Sequence, residues 1–172
     1  SVILITILVL SVFSIYLFPE STALGEHVVA LKLDTGDTAW MLAATGLVLL
    51  MTPGLGFFYG GMVGKKNVIS TVLQSFMAMV IVTVLWVVIG FGLCFGPSVG
   101  GFIGDPTQNL FFNGVNATTA WELAPTIPFI LFALFQAKFA IITPALITGA
   151  FAERVRFWAY LLFMVLFILF IY

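Results

Sequence analysis

Predominantly apolar stretches divide the chain at Val2–Phe18, Ala39–Val63, Val68–Phe95, Ile127–Ala152 and Phe157–Tyr172, with the charged residues gathered in short clusters between them. A helix rises roughly 1.5 Å per residue and needs about 20 apolar residues to cross the hydrocarbon core of a bilayer. The central stretches meet that length, the first and last fall a little short, and each is predicted to be helical. Within the second stretch, Thr52-Pro53 removes the backbone bond to the Leu49 carbonyl, which predicts a kink. Gly56, Gly60 and Gly64 recur at intervals of four and align small residues on one face, where a neighbouring backbone can approach closely. Tight packing accounts for that spacing, and Gly54-Leu55-Gly56 is no nucleotide loop, because its spacing is wrong and no strand precedes it. In the fourth stretch Phe132, Phe135 and Phe139 share one helical face. With 19 phenylalanines in the chain, packing explains such a stripe more readily than a ligand path does.

Composition narrows the class. The 172 residues are 62% hydrophobic and 16% aromatic but only 8% charged, against about 25% charged in soluble domains, so an ordinary water-soluble globule is excluded. Six Lys+Arg against seven Asp+Glu leave a net charge of -1 and no basic face for nucleic acid. Cys94 is the single cysteine and cannot form an internal disulfide, and His27, the single histidine, cannot build a metal site alone. No nucleophile–base pair or metal cluster points to an enzyme, and no cofactor is indicated. Lys138 is the one charge inside an apolar stretch. Placing a lysine at mid-span costs on the order of 3 kcal/mol, so it is expected to face the bundle interior, water or a partner.

The loops then set an orientation. Lys65-Lys66 and the Arg154/Arg156 pair lie in short connections that should be cytoplasmic. The long Gly96–Pro125 loop carries Asp105 and Glu122 without a Lys or Arg, and should lie outside together with the mostly acidic Pro19–Thr38 segment. The Ala39–Val63 helix therefore enters from the outer face. For residues 1–23 two readings stand: a signal peptide cleaved near Ser21-Thr22-Ala23, or an extra retained helix. Because Ser1 is not Met and the last apolar run has no polar flank, the chain is expected to be cut at its C-terminus, within a span or near its end.

Several ordered motifs resemble the ammonium transporter family (Amt/Mep/Rh). Asp37-Thr38-Ala39-Trp40-Met41-Leu42, Thr52-Pro53-Gly54, Phe57-Phe58-Tyr59-Gly60-Gly61-Met62-Val63 and Lys66-Asn67-Val68 are similar to the region of its first helix. Phe135-Gln136, followed by Phe139-Ala140-Ile141-Ile142-Thr143-Pro144-Ala145-Leu146-Ile147-Thr148-Gly149-Ala150-Phe151-Ala152-Glu153-Arg154, is similar to its third. The likeness runs from about Asp34 to the end. It implies an all-α multipass bundle, the first four helices of an inverted-repeat fold of about eleven, preceded by the residues 1–23 segment. It also implies a homotrimer in the plasma membrane in which each protomer has its own pore for ammonium or ammonia. The transporter portion would be residues 34–172, with helices near 39–63, 68–95, 127–152 and 157–172.

Residue by residue, the likeness makes Phe139 the outer-gate ring that recruits ammonium. Phe135 and Gln136 lie one turn away, and Phe58 and Tyr59 form an aromatic pair beside the path. Aromatic faces attract a cation by about 0.5–2 kcal/mol, which helps ammonium shed water. The family's paired pore histidines, a recruiting tryptophan and the aspartate beside it are expected beyond Tyr172. Lys138 departs from the small or neutral side chain expected before Phe139 and would repel ammonium if it faced the pore. The resemblance further implies a PII-type regulatory protein on the cytoplasmic face. An alternative reading is an ammonium sensor that couples the same fold to a cytoplasmic signalling domain.

Overall fold

The computed structural model describes residues 27–99, 101 and 103–172. The Val2–Phe18 stretch and the Ser21-Thr22-Ala23 site lie outside the described residues. Helix α1 spans Thr35–Met62, and Asp34 caps it in an extended conformation, its Oδ1 accepting the Asp37 N–H at 2.8 Å. The Thr38 hydroxyl donates to the Asp34 carbonyl at 2.7 Å. This cap, with Asp37 in the first turn, starts the helix a turn before the apolar stretch does, because a side-chain acceptor and a negative charge both favour a helix N-terminus. The helix runs on through Pro53 without ending.

Helix α2 runs from Val68 to Phe95, with a π-helical segment at Trp86–Gly90. Helix α3 spans Phe129–Phe151, two residues shorter at its start than the apolar run, since Pro128 holds the N-cap position in an extended conformation and biases Ile127 away from helix. Helix α4 spans Phe157–Phe170. Among the described residues, three helices (α1, α2 and α3) are long and apolar enough to cross a membrane, and α4 is a shorter apolar helix.

Between α2 and α3 the chain folds back as a cap over one end of the bundle. Strand β1 (Val28–Ala30) pairs antiparallel with β4 (Thr119–Trp121), Val28 opposite Trp121. Strands β2 (Ser98–Val99) and β3 (Ile103–Gly104) form a second small ladder. Asn116 organises the turn before β4, its Oδ1 accepting from the backbone and hydroxyl groups of both Thr118 and Thr119 at 2.9 Å. The Ile130 N–H donates to the Asn116 carbonyl at 3.0 Å, which ties this turn to the first turn of α3.

The core lies between α2, α3 and α4. It is built from Ala78, Val82, Trp86 and Phe91 on α2, Ala133, Ala137, Ala140 and Ala145 on α3, and Tyr160 and Met164 on α4. The alanines of α3 let backbones approach closely, which favours packing where lipid supplies no hydrophobic drive. The Trp86 indole donates to the Ala133 carbonyl at 3.1 Å across that contact. Helix α1 joins along a narrow seam in which only Thr52, Gly56 and Gly60 are buried. A Cβ at Gly56 would stand 3.0 Å from the Ser75 Cβ, and one at Gly60 only 2.8 Å from the Val72 Cγ2.

Gly60→Leu is therefore expected to separate α1 from α2 and to destabilise the protein by about 1–3 kcal/mol, the usual cost of overpacking. Gly61→Ala, at a position with nothing within 4 Å, should be close to neutral. Thermal unfolding of the two purified variants in the same detergent checks the difference.

Candidate functional site

Aromatic rings line α3 from the cap inward. Trp121 of β4 stacks on Phe129 at 5.7 Å and 16° and on Phe132 at 5.7 Å and 10°, while Phe132 also meets Phe95 edge-on at 5.2 Å. His27 lies over Trp121 at 5.1 Å, and its Nδ1 is 2.8 Å from the Glu122 Oε1. A turn further in, Phe135 and Phe139 pair edge-to-face at 5.1 Å and 74°. The stripe read as a single face thus divides: Phe132 belongs to the cap cluster, and Phe135 with Phe139 forms a separate pair. The Phe139 ring is 37% exposed, and Phe135 and Gln136 are half-buried beside it.

Lys138 is half-buried, and no carboxylate lies within salt-bridge distance of it among the described residues. One residue along a helix turns the direction by about 100°, so Lys138 leaves the Phe135/Phe139 face and shares an angular position with Ile142, Ala145 and Gly149. A Cβ on Gly149 would meet the Tyr59 ring at 2.7 Å, which makes this the side of α3 that faces α1.

Tyr59 itself is anchored there, its hydroxyl donating to the Leu146 carbonyl at 2.7 Å. Phe58 leans on it at 5.5 Å and 57° but is 61% exposed. The structure therefore brings Tyr59 against α3 two turns inward of Phe139, leaves Phe58 on the outside of α1, and does not gather the two aromatic pairs at one point.

The other end of the bundle holds a second arrangement, centred on a carboxylate. Glu153, with φ 65°, sits just past the end of α3. Its Oε1 accepts the Gly64 N–H at 2.8 Å and the Asn67 side-chain N–H at 2.9 Å. These donors, the Asn67 amide first and the Gly64 N–H second, hold the Glu153 carboxyl below the ordinary glutamate range. The α1–α2 connection is thereby fastened to the α3–α4 connection. A second cross-link, Thr148 Oγ1 to Tyr160 Oη at 3.0 Å, is buried between α3 and α4. Sequence reasoning passed over Thr148 and Tyr160; a hydroxyl pair on two neighbouring apolar helices was the signal available. No group of three metal-ligating side chains occurs among the described residues.

Such a bundle, apolar, helical and polar mainly at its ends, defines a multipass membrane protein. The Ammonium Transporter Family model matches residues 39–172, and the chain belongs to that family. It is 49% identical over 152 residues to an ammonium transporter of Mycobacterium bovis, covering 81% of this chain and 32% of that relative. The crystal structure of Candida albicans Mep2 is similar at a TM-score of 0.69 and 32% identity, over 80% of this chain and 30% of that one. A solved structure described as a sensor Amt protein is similar at a TM-score of 0.68 and 30% identity, over 78% of this chain and 31% of that one. The chain spans about a third of the length of these relatives.

Glu153→Gln removes the charge from the fastening between connections. The wild type is expected to melt at a higher temperature than this variant at neutral pH. Because the folded carboxyl is held low, its contribution is complete above the ordinary glutamate range and disappears as pH falls through the folded value. Melting curves of both proteins between pH 7 and the acid limit of solubility should converge on acidification.

Proposed function

We propose that the full-length protein moves ammonium across the plasma membrane, as the ion or as ammonia plus a proton, through a pore in each protomer of a homotrimer. Residues 34–172 supply its N-terminal portion, with α1 entering from the outer face. Family membership carries this reading, and the exposed Phe139 ring, paired with Phe135 one turn inside the aromatic cap, supports it. In it Phe139 recruits ammonium, with Phe135 and Gln136 completing the outer site. A ring face attracts the cation, and the neighbouring amide oxygen can accept a directed hydrogen bond from ammonium. Phe58 and Tyr59 flank the path; the Tyr59 hydroxyl is already engaged by the Leu146 carbonyl, so the ring alone serves there. A PII-type protein docks on the cytoplasmic face.

A second reading, an ammonium sensor, draws on the likeness to the sensor Amt structure and on the uncompensated charge of Lys138. Ammonium-evoked currents from the full-length protein in proteoliposomes separate the two: transport gives currents, sensing gives binding without them.

Phe139→Ala is expected to raise the half-saturating ammonium concentration by about 2- to 30-fold, the range that a cation–ring attraction of this kind represents. An unmoved concentration dependence removes Phe139 from the recruitment site. Lys138→Ser, about 100° around the helix from Phe139, is expected to leave the currents unchanged; an increase would place its charge on the path.

A further inference from the structure

Pro144 divides α3, because it removes the backbone bond to the Ala140 carbonyl. The part beyond Pro144 is anchored by the Tyr59–Leu146 and Thr148–Tyr160 hydrogen bonds and by Glu153. The outer part, which carries Phe135 and Phe139, has no side-chain cap at its start. Hydrogen bonds tie it at two backbone points: the Ile130 N–H donates to the Asn116 carbonyl at 3.0 Å, and the Ala133 carbonyl accepts from the Trp86 indole at 3.1 Å. Backbone bonds close to the axis fix where a helix lies but resist its rotation weakly. Side chains reach further from the axis and set that rotation.

Trp121 supplies this lever. It is only 7% exposed and packs against rings of three other segments. It lies nearly parallel to Phe129 and Phe132 of α3, edge-on to Phe95 of α2 at 5.9 Å, and against His27, next to β1, at 5.1 Å. Phe129 and Phe132 are one turn apart, so a single flat indole holding both fixes the face that α3 presents. The helix backbone carries that setting inward to Phe135 and Phe139, which follow one and two turns beyond Phe132. We infer that Trp121 is a positioning residue for ammonium recruitment: buried as it is, it meets no ion, and it holds α3 at the rotation in which the Phe139 ring stands open. The inference rests on the recruiting role proposed for Phe139. It also gives the strand before α1 a part in the site, since His27 leans on the indole while its Nδ1 is 2.8 Å from the Glu122 Oε1.

Ammonium-evoked currents of the full-length protein in proteoliposomes test it. Trp121→Ala is expected to raise the half-saturating ammonium concentration by about 2- to 12-fold, the factor by which losing one aromatic pair depletes the competent population, with the maximal current retained. Trp121→Phe, which keeps a ring against α3, should restore most of the affinity. Because the effect runs through Phe139, Trp121→Ala should add no further shift in a Phe139→Ala background, whereas a general loosening of the fold would add in full. Should Trp121→Ala not fold, His27→Ala takes its place in the same cycle; it withdraws one ring at the surface and is expected to shift the concentration dependence in the same direction, by less. The inference is overturned if the folded variant has the wild-type concentration dependence, if it loses maximal current alone, or if its shift adds in full to that of Phe139→Ala. A shifted Phe139→Ala beside an unshifted Trp121→Ala ends this inference alone, while an unshifted Phe139→Ala ends the recruitment reading with it.

Discussion

Close approach of helix backbones is the constraint on which this bundle depends. In water a helix gains by hiding its apolar side; among lipid tails it gains little, and association rests on van der Waals contact and on hydrogen bonds between helices. The seam between α1 and α2 meets that demand with two glycines whose missing Cβ atoms make room for Val72 and Ser75. On α3 the same role falls to alanines, and the Trp86 indole can reach the Ala133 carbonyl because the helices lie so near. Once the bodies are close, the Thr148–Tyr160 and Tyr59–Leu146 hydrogen bonds follow. The α1 seam is narrow, and most of that helix presents Trp40, Leu47, Leu50 and Phe57 outward, as suits a surface in contact with hydrocarbon.

The two ends of the bundle are finished differently. One is roofed by short strands and stacked rings, with Trp121 shared between the strand and α3. The other is held by a single carboxylate that serves two donors from the opposite connection. At the first end the ring faces of Phe135 and Phe139 lie one turn inside that roof. The lysines and arginines of the second end stay in the polar layer, where their charge is cheap.

Much of this was legible in the amino-acid sequence, and the reasons are physical. Apolar length set the helices, and the glycine interval set the α1 face that packs, because both follow from periodicity alone. The helix starts were less accessible: Asp34 extends α1 beyond its apolar run, and Pro128 trims α3, each through local backbone chemistry that a hydropathy window averages away. The phenylalanine stripe on α3 was visible, but its division was not. That depends on Trp121, which arrives from a distant turn organised by Asn116. The fastening role of Glu153 was hidden because its partners, Gly64 and Asn67, are distant in sequence. The roles of Phe139, Phe135, Gln136, Phe58 and Tyr59 come from family likeness, which ring geometry alone could not supply.

The π-helical segment in α2 separates that helix into two independently aimed parts. Up to Leu85 the buried positions follow an α-helical period through Thr71, Ser75, Ala78 and Val82. Continued unchanged, that period would bury Ile89 and Leu93; instead Gly90 and Phe91 are buried, while Ile89 and Leu93 are half-open. The extra residue acts as a vernier that turns the outer part of the helix by about 100°, so that Phe91 and Phe95 address the roof while the inner part addresses α1 and α4. Inheritance is affected as well: loss of one residue at Trp86–Gly90 would re-aim every side chain beyond it, while substitutions on either side can accumulate without disturbing the other.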